Sequence, residues 1–222
     1  MPETVERLKG EPGCTGMNTS MKTKKDFLKK CIALLLAVNL CGIGVALFIQ
    51  ANLGSDSITV IQEGISIKFG ISLGSSSRLF NVLFLAVALL IAHEHIGWCT
   101  IAYALNVGSF IDIYNSLIAS LAIGDRGVII KSISVLLGQL CLIATYAILI
   151  KYREGMNQLD AISYGIEKYT KISYKHIRTT FDVAFIIIGG YLGGCIGIGS
   201  LFSMATTGYG VDMLLRAVDK KG

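Results

Sequence analysis

Charged residues and prolines are scarce in this sequence, and each shortage excludes something. Charged residues make up 16% of the chain, whereas soluble domains carry about 25%, so an ordinary soluble protein is not predicted. The two prolines, Pro2 and Pro12, both stand near the N-terminus. A break in any later helix therefore has to come from another residue, and the 25 glycines are the candidates.

The motifs that carry catalysis or metal chemistry are missing as well. No two cysteines stand at CxxC spacing, and phosphate-binding glycine loops and HExxH do not occur. We therefore predict that the protein is not an enzyme and has no catalytic residue, no cofactor and no metal site. His93-Glu94-His95 could chelate a metal through alternate residues, but no third ligand is evident nearby, and we interpret it as an interfacial turn.

Long apolar runs are what the sequence has instead. Hydrophobic residues make up 53% of the chain, the mean hydropathy is +0.63, and about 20 apolar residues suffice to cross a bilayer. We predict six membrane-spanning helices, near residues 31–50, 78–92, 98–117, 128–150, 179–192 and 200–215. Two further amphipathic helices are too short to cross ~30 Å of hydrocarbon. The first lies near residues 57–68, and the second follows "KYREGMNQ" (151–158), with Leu159, Ile162 and Ile166 on its apolar face. We predict that these two are re-entrant or interfacial.

The second half of the sequence repeats the first about a hundred residues later. The stretch "LGSDSITVIQEGI" (53–65) matches "EGMNQLDAISYGI" (154–166), Phe80-Asn81 matches Phe181-Asp182, and "GSFID" (108–112) matches "GYGVD" (208–212). Each half holds three spans, and an odd number of crossings turns the second half upside down relative to the first. The predicted fold is an all-α polytopic membrane protein built from two internal repeats of inverted topology. Its parts are a polar cytoplasmic tail (1–26), a first repeat (27–118) and a second repeat (128–222).

Basic residues indicate how the chain sits in the membrane. A basic cluster at residues 22–30 directly precedes the first apolar run. Most other basic residues lie in segments predicted to be cytoplasmic. We therefore predict a multi-pass protein of the cell membrane with both termini cytoplasmic, and we do not interpret the net charge of +5 as a nucleic-acid signal. An alternative with eight crossings and parallel repeats also fits the charges. The length and polarity of the two short helices favour six crossings.

Polar residues recur at matching positions of the two repeats. A central Asp or Arg costs about +2.5 to +3.5 kcal/mol in a membrane, so such residues are expected to face a cavity or a partner. We predict that eight of them line a path between the halves and bind the solute: Asn52, Asp56, Asn81, Asn106, Asp112, Asp160, Asp182 and Asp212. The carboxylates would bind a coupling cation or carry a proton.

Simpler roles are open for several of these residues. Asp112 and Asp212 could lie at the headgroup level, and Asp182 could pair with Arg178, which stands four residues earlier on the same helix face. Asp56 could cap its own short helix. The four-residue spacing of Gly189, Gly193 and Gly197 predicts close helix packing rather than a hinge.

Parts of the sequence resemble a known group. The stretch "GIGVALFIQANLGSDSITVIQEGIS" (42–66) resembles the opening signature of the bacterial YczE/YyaS/YitT family of integral membrane proteins. The stretches 96–112 and 193–212 resemble its recurrent Ile-Gly-x-Gly-Thr followed by Gly-x-x-x-Asp, with Thr100 and Ser200 at the position of the threonine. The resemblance covers about residues 35–218 and implies a polytopic membrane protein of the permease kind, without a settled substrate or a catalytic residue. The proline that often follows the first Leu-Gly of the family is replaced here by Ser57 or a neighbour.

Three functions remain open from the sequence. The first is a small-solute transporter or permease whose polar site lies between the repeats, acting in the lipid bilayer on an unknown solute with a coupling cation or proton. The second is a substrate-binding membrane subunit that works with a separate ATPase. The third is a regulatory membrane protein that transports nothing. A homodimer is compatible with each of them.

Overall fold

The protein is all-helical, as predicted. The computed structural model describes residues 24–92, 96–151, 158–170 and 172–219. The predicted tail up to residue 23 and the His93–His95 turn lie outside these ranges. In the described ranges the chain forms eight α-helices: α1 (Lys24–Ala51), α2 (Ser57–Phe69), α3 (Leu73–Ala92), α4 (Trp98–Ala119), α5 (Val128–Lys151), α6 (Gln158–Thr170), α7 (Tyr174–Tyr191) and α8 (Ile198–Asp219). A short 3-10 turn, Ile123–Asp125, lies between α4 and α5.

The helices begin and end close to the predicted boundaries, except where a helix also includes polar residues. Helix α1 begins at Lys24, inside the predicted basic cluster, so the last three residues of the predicted tail are helical. Helix α3 begins at Leu73, several residues before the predicted span. The reason is Asp112 of α4, whose carboxylate accepts hydrogen bonds from the Gly74 N–H (2.7 Å) and the Ser72 hydroxyl (2.6 Å). This carboxylate satisfies donors at the start of the helix that otherwise lack partners.

Three helices of the described part of the chain are long and apolar enough to cross a membrane. They are Leu28–Ala51, Leu73–Ala92 and Val128–Leu149. Helices α2 and α6 contain 13 residues each, about 20 Å at 1.5 Å per residue, which is shorter than the ~30 Å hydrocarbon layer. As predicted, these two helices are therefore too short to cross the hydrocarbon layer.

The first helices of the two halves pack against each other, and each also packs against the last helix of its own half. Helix α1 contacts α5 and α4, and α5 contacts α8. Gly42 of α1 lies against the backbone of Phe110 in α4, and at the matching place in the second half Ile143 of α5 lies against Gly210 of α8. The same crossing thus occurs in both halves, with the small residue on the opposite partner.

Each short helix packs on a long helix of the other half. Helix α2 lies on α7, and α6 lies on α3. Gly64 and Gly189 form the α2–α7 crossing, where a Cβ on Gly64 would come within 2.5 Å of the Gly189 carbonyl oxygen. The predicted packing role of Gly189 is confirmed. Gly193 lies after the end of α7, in a turn where its φ is +102°. Packing across the halves places both short helices in the interior.

The loops of the two halves are also joined by hydrogen bonds. The Gly199 N–H donates to the Leu53 carbonyl (2.9 Å), and the Cys195 N–H donates to Glu63 Oε2 (2.8 Å). The segment before α2 is therefore anchored to the segment before α8. Burial raises the pKa of Glu63, and the hydrogen bond from the Cys195 N–H opposes this rise.

We predict that Gly108→Ser lowers the apparent unfolding temperature of the purified protein in detergent. A Cβ at Gly108 would collide with the Gly74 carbonyl oxygen across the α3–α4 contact. Overpacking of this kind costs about 1–3 kcal/mol, which corresponds to about 2–4 °C per kcal/mol for a chain of this size. Gly127→Ser is the matched control, because a Cβ there meets no atom within 4 Å. Equal unfolding temperatures of the two variants would contradict the tight α3–α4 contact.

Candidate functional site

A cluster of polar residues around a partly buried arginine joins the two halves. Arg178, on the first turns of α7, lies 3.8 Å from the Asp160 carboxylate of α6 and 3.4 Å from that of Asp182, one turn further along α7. The predicted Arg178–Asp182 pairing is therefore confirmed. Asp182 Oδ1 also accepts a hydrogen bond of 2.5 Å from the hydroxyl of Ser57, at the start of α2. We call these four residues the Arg178 cluster.

Helix starts bring the Arg178 cluster together. Ser57 is the first residue of α2, and Asp160 lies in the first turn of α6. The N-terminus of a helix carries a partial positive charge, which stabilises a nearby carboxylate. Because α2 lies on α7 and α6 lies between α3 and α7, both helix starts reach the same stretch of α7.

The repeat relates the Arg178 cluster to a second set of residues. In the register that matches Ile58 with Leu159 and Asn81 with Asp182, the cluster has an uncharged counterpart at each position. Ser57 corresponds to Gln158, Asp160 to Thr59, Arg178 to Ser77 and Asp182 to Asn81. We call Gln158, Thr59, Ser77 and Asn81 the neutral set. One polar arrangement thus occurs twice, once with charges and once without.

The neutral set lines a small cavity between the halves. All four of its side chains face this cavity, together with Asp56, Gln62 and residues of α1, α4 and α5. The cavity has a volume of about 40 Å³, room for two to four water molecules at roughly 10–15 Å³ each. All four members are buried, so the cavity presents polar groups inside the helix bundle, beside apolar side chains such as Phe80 and Leu142.

Gln158 differs from the other residues that line the cavity. Its side chain is 1% exposed, and neither its amide nitrogen nor its amide oxygen has a hydrogen-bond partner among the described residues. The opposite member of the neutral set, Asn81, donates instead to Ser77 on its own helix (3.2 Å). An unsatisfied buried polar group costs about 1–3 kcal/mol, so this amide destabilises the folded protein unless a ligand or a water molecule binds to it.

Asp56 lies where the cavity meets the Arg178 cluster. Its carboxylate accepts a hydrogen bond of 2.5 Å from the Thr59 hydroxyl, and the residue stands at the N-cap of α2. Burial raises the pKa of Asp56 above its ordinary value, and the nearby carboxylate of Asp182 adds to this rise; the Thr59 hydrogen bond and Arg178 oppose it. Asp56 is the only carboxyl among the described residues that line the cavity.

Four phenylalanine rings from both halves pack beside the cavity. Phe80 and Phe84 of α3 are stacked with centroids 4.3 Å apart, and Phe181 and Phe185 occupy the matching positions of α7. Phe84 and Phe185 meet edge to face at 5.5 Å. Because these two positions correspond to each other, equivalent residues of the two halves are in contact at the centre of the site.

The structure brings four of the eight predicted site residues together. Asp56 and Asn81 line the cavity, and Asp160 and Asp182 belong to the Arg178 cluster.

The other four lie elsewhere or cannot be placed. Asn52 is exposed just after α1 with a φ of 52°, and Asn106 is exposed and donates to the Ala102 carbonyl of its own helix. Asp112 caps α3, and the side chain of Asp212 lies outside the described part. Arg78, the residue after Ser77, is exposed and donates to the Ser109 hydroxyl.

Gln158, Thr59 and Ser77 are not among the predicted site residues. The predicted set contains only carboxylates and asparagines, whereas hydroxyls and glutamine amides also line the cavity. The alignment of the two halves contained the missing signal, because it matches Gln158 with Ser57 and Thr59 with Asp160. What the alignment does not contain is the contact between the two halves that makes those positions neighbours.

Comparisons with known proteins place the chain among relatives of similar length. Residues 28–216 match the model of the Family of unknown function (DUF6198). An uncharacterized protein of Haemophilus influenzae is 24% identical, with 83% of each chain covered. The uncharacterized protein YyaS of Bacillus subtilis is 21% identical, with 83% of this chain and 92% of that protein covered. No solved structure gives a significant match.

These relatives bear on the resemblance found in the sequence. The match to YyaS confirms the YyaS part of that resemblance. The likeness to YczE and to YitT stays a prediction.

We predict that Asp56→Asn stabilises the purified protein, and that the gain grows with pH. Asparagine caps a helix as well as aspartate and keeps an oxygen for the Thr59 hydroxyl. Since folding raises the pKa of Asp56, its carboxyl favours the folded state most below the ordinary value of about 3.9, and this contribution is lost as the pH rises through the raised native value.

The measurement is the apparent unfolding temperature of both proteins in detergent, in buffers that contain only organic ions. The two temperatures should lie close together at about pH 4 and separate by a few degrees in favour of the variant at about pH 7.5. A difference that does not change with pH, or a more stable wild type at the higher pH, would contradict the placement of a desolvated Asp56 carboxyl at the cavity.

Proposed function

We propose that this chain, which belongs to the DUF6198 family, is a small membrane transporter that moves a polar solute through a site between its two halves. The observation that carries the proposal is the cavity between the halves, to which both halves contribute buried polar side chains. Polar positions that face a space at the interface of two repeats are typical of transporter binding sites. A bundle that served only as a scaffold would gain stability from apolar residues at these positions.

The outer surface of the helices supports a membrane protein with six spans. Large apolar side chains are also exposed on the other three long helices, α4, α7 and α8. Examples are Leu117 of α4 (60%), Ile187 of α7 (64%) and Leu201 of α8 (74%). Soluble monomers rarely expose contiguous apolar surface of this extent. Helix α7 carries three charged residues, and two of them, Arg178 and Asp182, pair inside the protein.

The reciprocal packing of the short helices supports the inverted repeat. Helix α2 lies on α7 as α6 lies on α3, which is the pattern expected when exchanging the halves leaves the packing unchanged. Six spans with this exchange give the two halves opposite orientations in the bilayer.

The differences between the two polar arrangements suggest how the site opens. The Ser57–Asp182 hydrogen bond joins the halves on one side, whereas the corresponding Gln158–Asn81 pair is not bonded. In transporters with inverted repeats the halves rock against each other to expose the site alternately. We expect the second state to form the Gln158–Asn81 bond and to break the Ser57–Asp182 bond.

The cavity volume fits a closed state of this cycle. An apolar cavity that accommodates benzene measures about 150 Å³, nearly four times the 40 Å³ present here. An organic solute therefore requires the halves to separate before it binds. The Phe84–Phe185 contact lies at the interface that has to open.

We predict solute-driven uptake by the protein reconstituted alone into liposomes. A panel of small polar solutes is tested with a trapped pH-sensitive dye and with radiolabelled solutes. Asp182→Asn should reduce the uptake rate at least about tenfold, because it weakens the contacts to Arg178 and Ser57 that close the site, and tenfold equals 1.4 kcal/mol. Asp112→Asn should retain uptake, because Asp112 contacts the start of α3 outside the site and asparagine keeps an oxygen for the Gly74 N–H.

Two results would contradict this function. Uptake that appears only when a co-purified ATPase is present would assign the chain to the class of substrate-binding subunits. Absence of any solute-dependent signal, with Asp182→Asn leaving the phenotype of the host unchanged, would favour a regulatory protein without transport.

A further inference from the structure

We infer that the cavity beside Asp56 binds one small alkali cation, with Na⁺ as the ion that fits its chemistry. The inference rests on the proposed function in one respect, because it names the coupling ion of the same site. The binding itself requires no transport and can be measured separately.

The size of the cavity selects a small ligand. A volume of about 40 Å³ holds a monatomic cation with one or two water molecules, and it excludes organic ions. The space is enclosed by helices of both halves, so a bound ion would lie between them.

The donor atoms select a hard cation. Most of the polar groups that line the cavity carry oxygen: the hydroxyls of Thr59, Ser77, Tyr103 and Tyr146, the amides of Gln62, Asn81 and Gln158, and the carboxyl of Asp56. The Cys41 sulfur also lines the cavity and accepts a hydrogen bond from the Tyr103 hydroxyl. Oxygen donors of these kinds suit hard metal ions, whereas zinc and copper prefer the nitrogen and sulfur of histidine and cysteine. The amide oxygen of Gln158, buried and without a partner among the described residues, is the donor that most needs a ligand.

The charge of the site selects a monovalent ion. Asp56 supplies a single negative charge, and no group of three His, Cys, Asp or Glu residues that could hold a metal occurs in the described part of the chain. A tightly held divalent ion normally has several carboxylate ligands. One positive charge balances Asp56, and the neighbouring carboxylates outnumber Arg178, so the local field attracts a cation.

A bound cation would also favour the closed arrangement. Asp56 directly precedes Ser57, whose hydroxyl bonds to Asp182, and the Asp56 and Asp182 carboxylates repel each other when both are ionised. Neutralising Asp56 with a cation removes this repulsion and stabilises the contact between the halves. Ion binding is thereby linked to the movement that the proposed transport requires.

The test is equilibrium binding of radiolabelled Na⁺ to the purified full-length protein in detergent, in choline buffer at neutral pH. We expect saturable binding that unlabelled Na⁺ displaces and choline does not. Asp56→Asn and Gln158→Leu should each weaken binding at least about tenfold, which is 1.4 kcal/mol. Asp125→Asn, at an exposed position in the turn between the halves, is the matched control and should bind as the wild type does.

Folding of each variant is checked by gel filtration, and Thr59→Val replaces any variant that does not fold. The absence of saturable Na⁺ binding in the wild type would overturn the inference, and so would equal binding by Asp56→Asn and Asp125→Asn. Solute uptake at the same rate in Na⁺ and in choline would also overturn it while leaving the transporter intact. Specific Na⁺ binding without uptake of any solute would support the cation site and contradict the proposed transport.

Discussion

The packing of each short helix on the opposite half is the contact on which the rest of the structure depends. Helices α2 and α6 are too short to cross a bilayer, and their starting residues are polar. In hydrocarbon each unsatisfied backbone group would cost several kcal/mol. The crossing at Gly64 and Gly189 lets α2 reach α7 closely enough for Ser57 to bond to Asp182. The interior that results contains helix starts, charges and a cavity that no single half could enclose.

The interior is asymmetric although the sequences of the two halves match. Corresponding positions carry an ion-pair cluster on one side and hydroxyls and amides on the other, although the backbone elements that hold them are equivalent. A symmetric pair of charged clusters would bury two arginines and twice the number of carboxylates, and buried charges gain little net stability even when paired. Retaining one charged cluster closes one side firmly. The neutral side keeps polar groups that remain available to a ligand.

Much of the fold could be predicted from the sequence, because its signals are local. The amphipathic pattern over residues 57–68 predicted α2, and the four-residue spacing indicated that Asp182 could pair with Arg178. Contacts between the halves could not be predicted, since nothing local to α2 indicates that it packs on α7. The misplaced role of Asp112 has the same origin. A carboxylate late in an apolar helix gives no sign that the start of α3 lies beside it and needs its oxygens.

The central claim is that two halves of opposite orientation enclose one polar site, and single-cysteine labelling tests it most directly. Lys68, near the end of α2, and Tyr169, at the matching position near the end of α6, are both exposed. Lys68→Cys and Tyr169→Cys are introduced separately into a chain without its native cysteines and treated in intact cells with a membrane-impermeant maleimide. Opposite orientation predicts that the reagent labels Lys68→Cys from outside and Tyr169→Cys only after the cells are opened. Labelling of both positions from the same side of the membrane would contradict it.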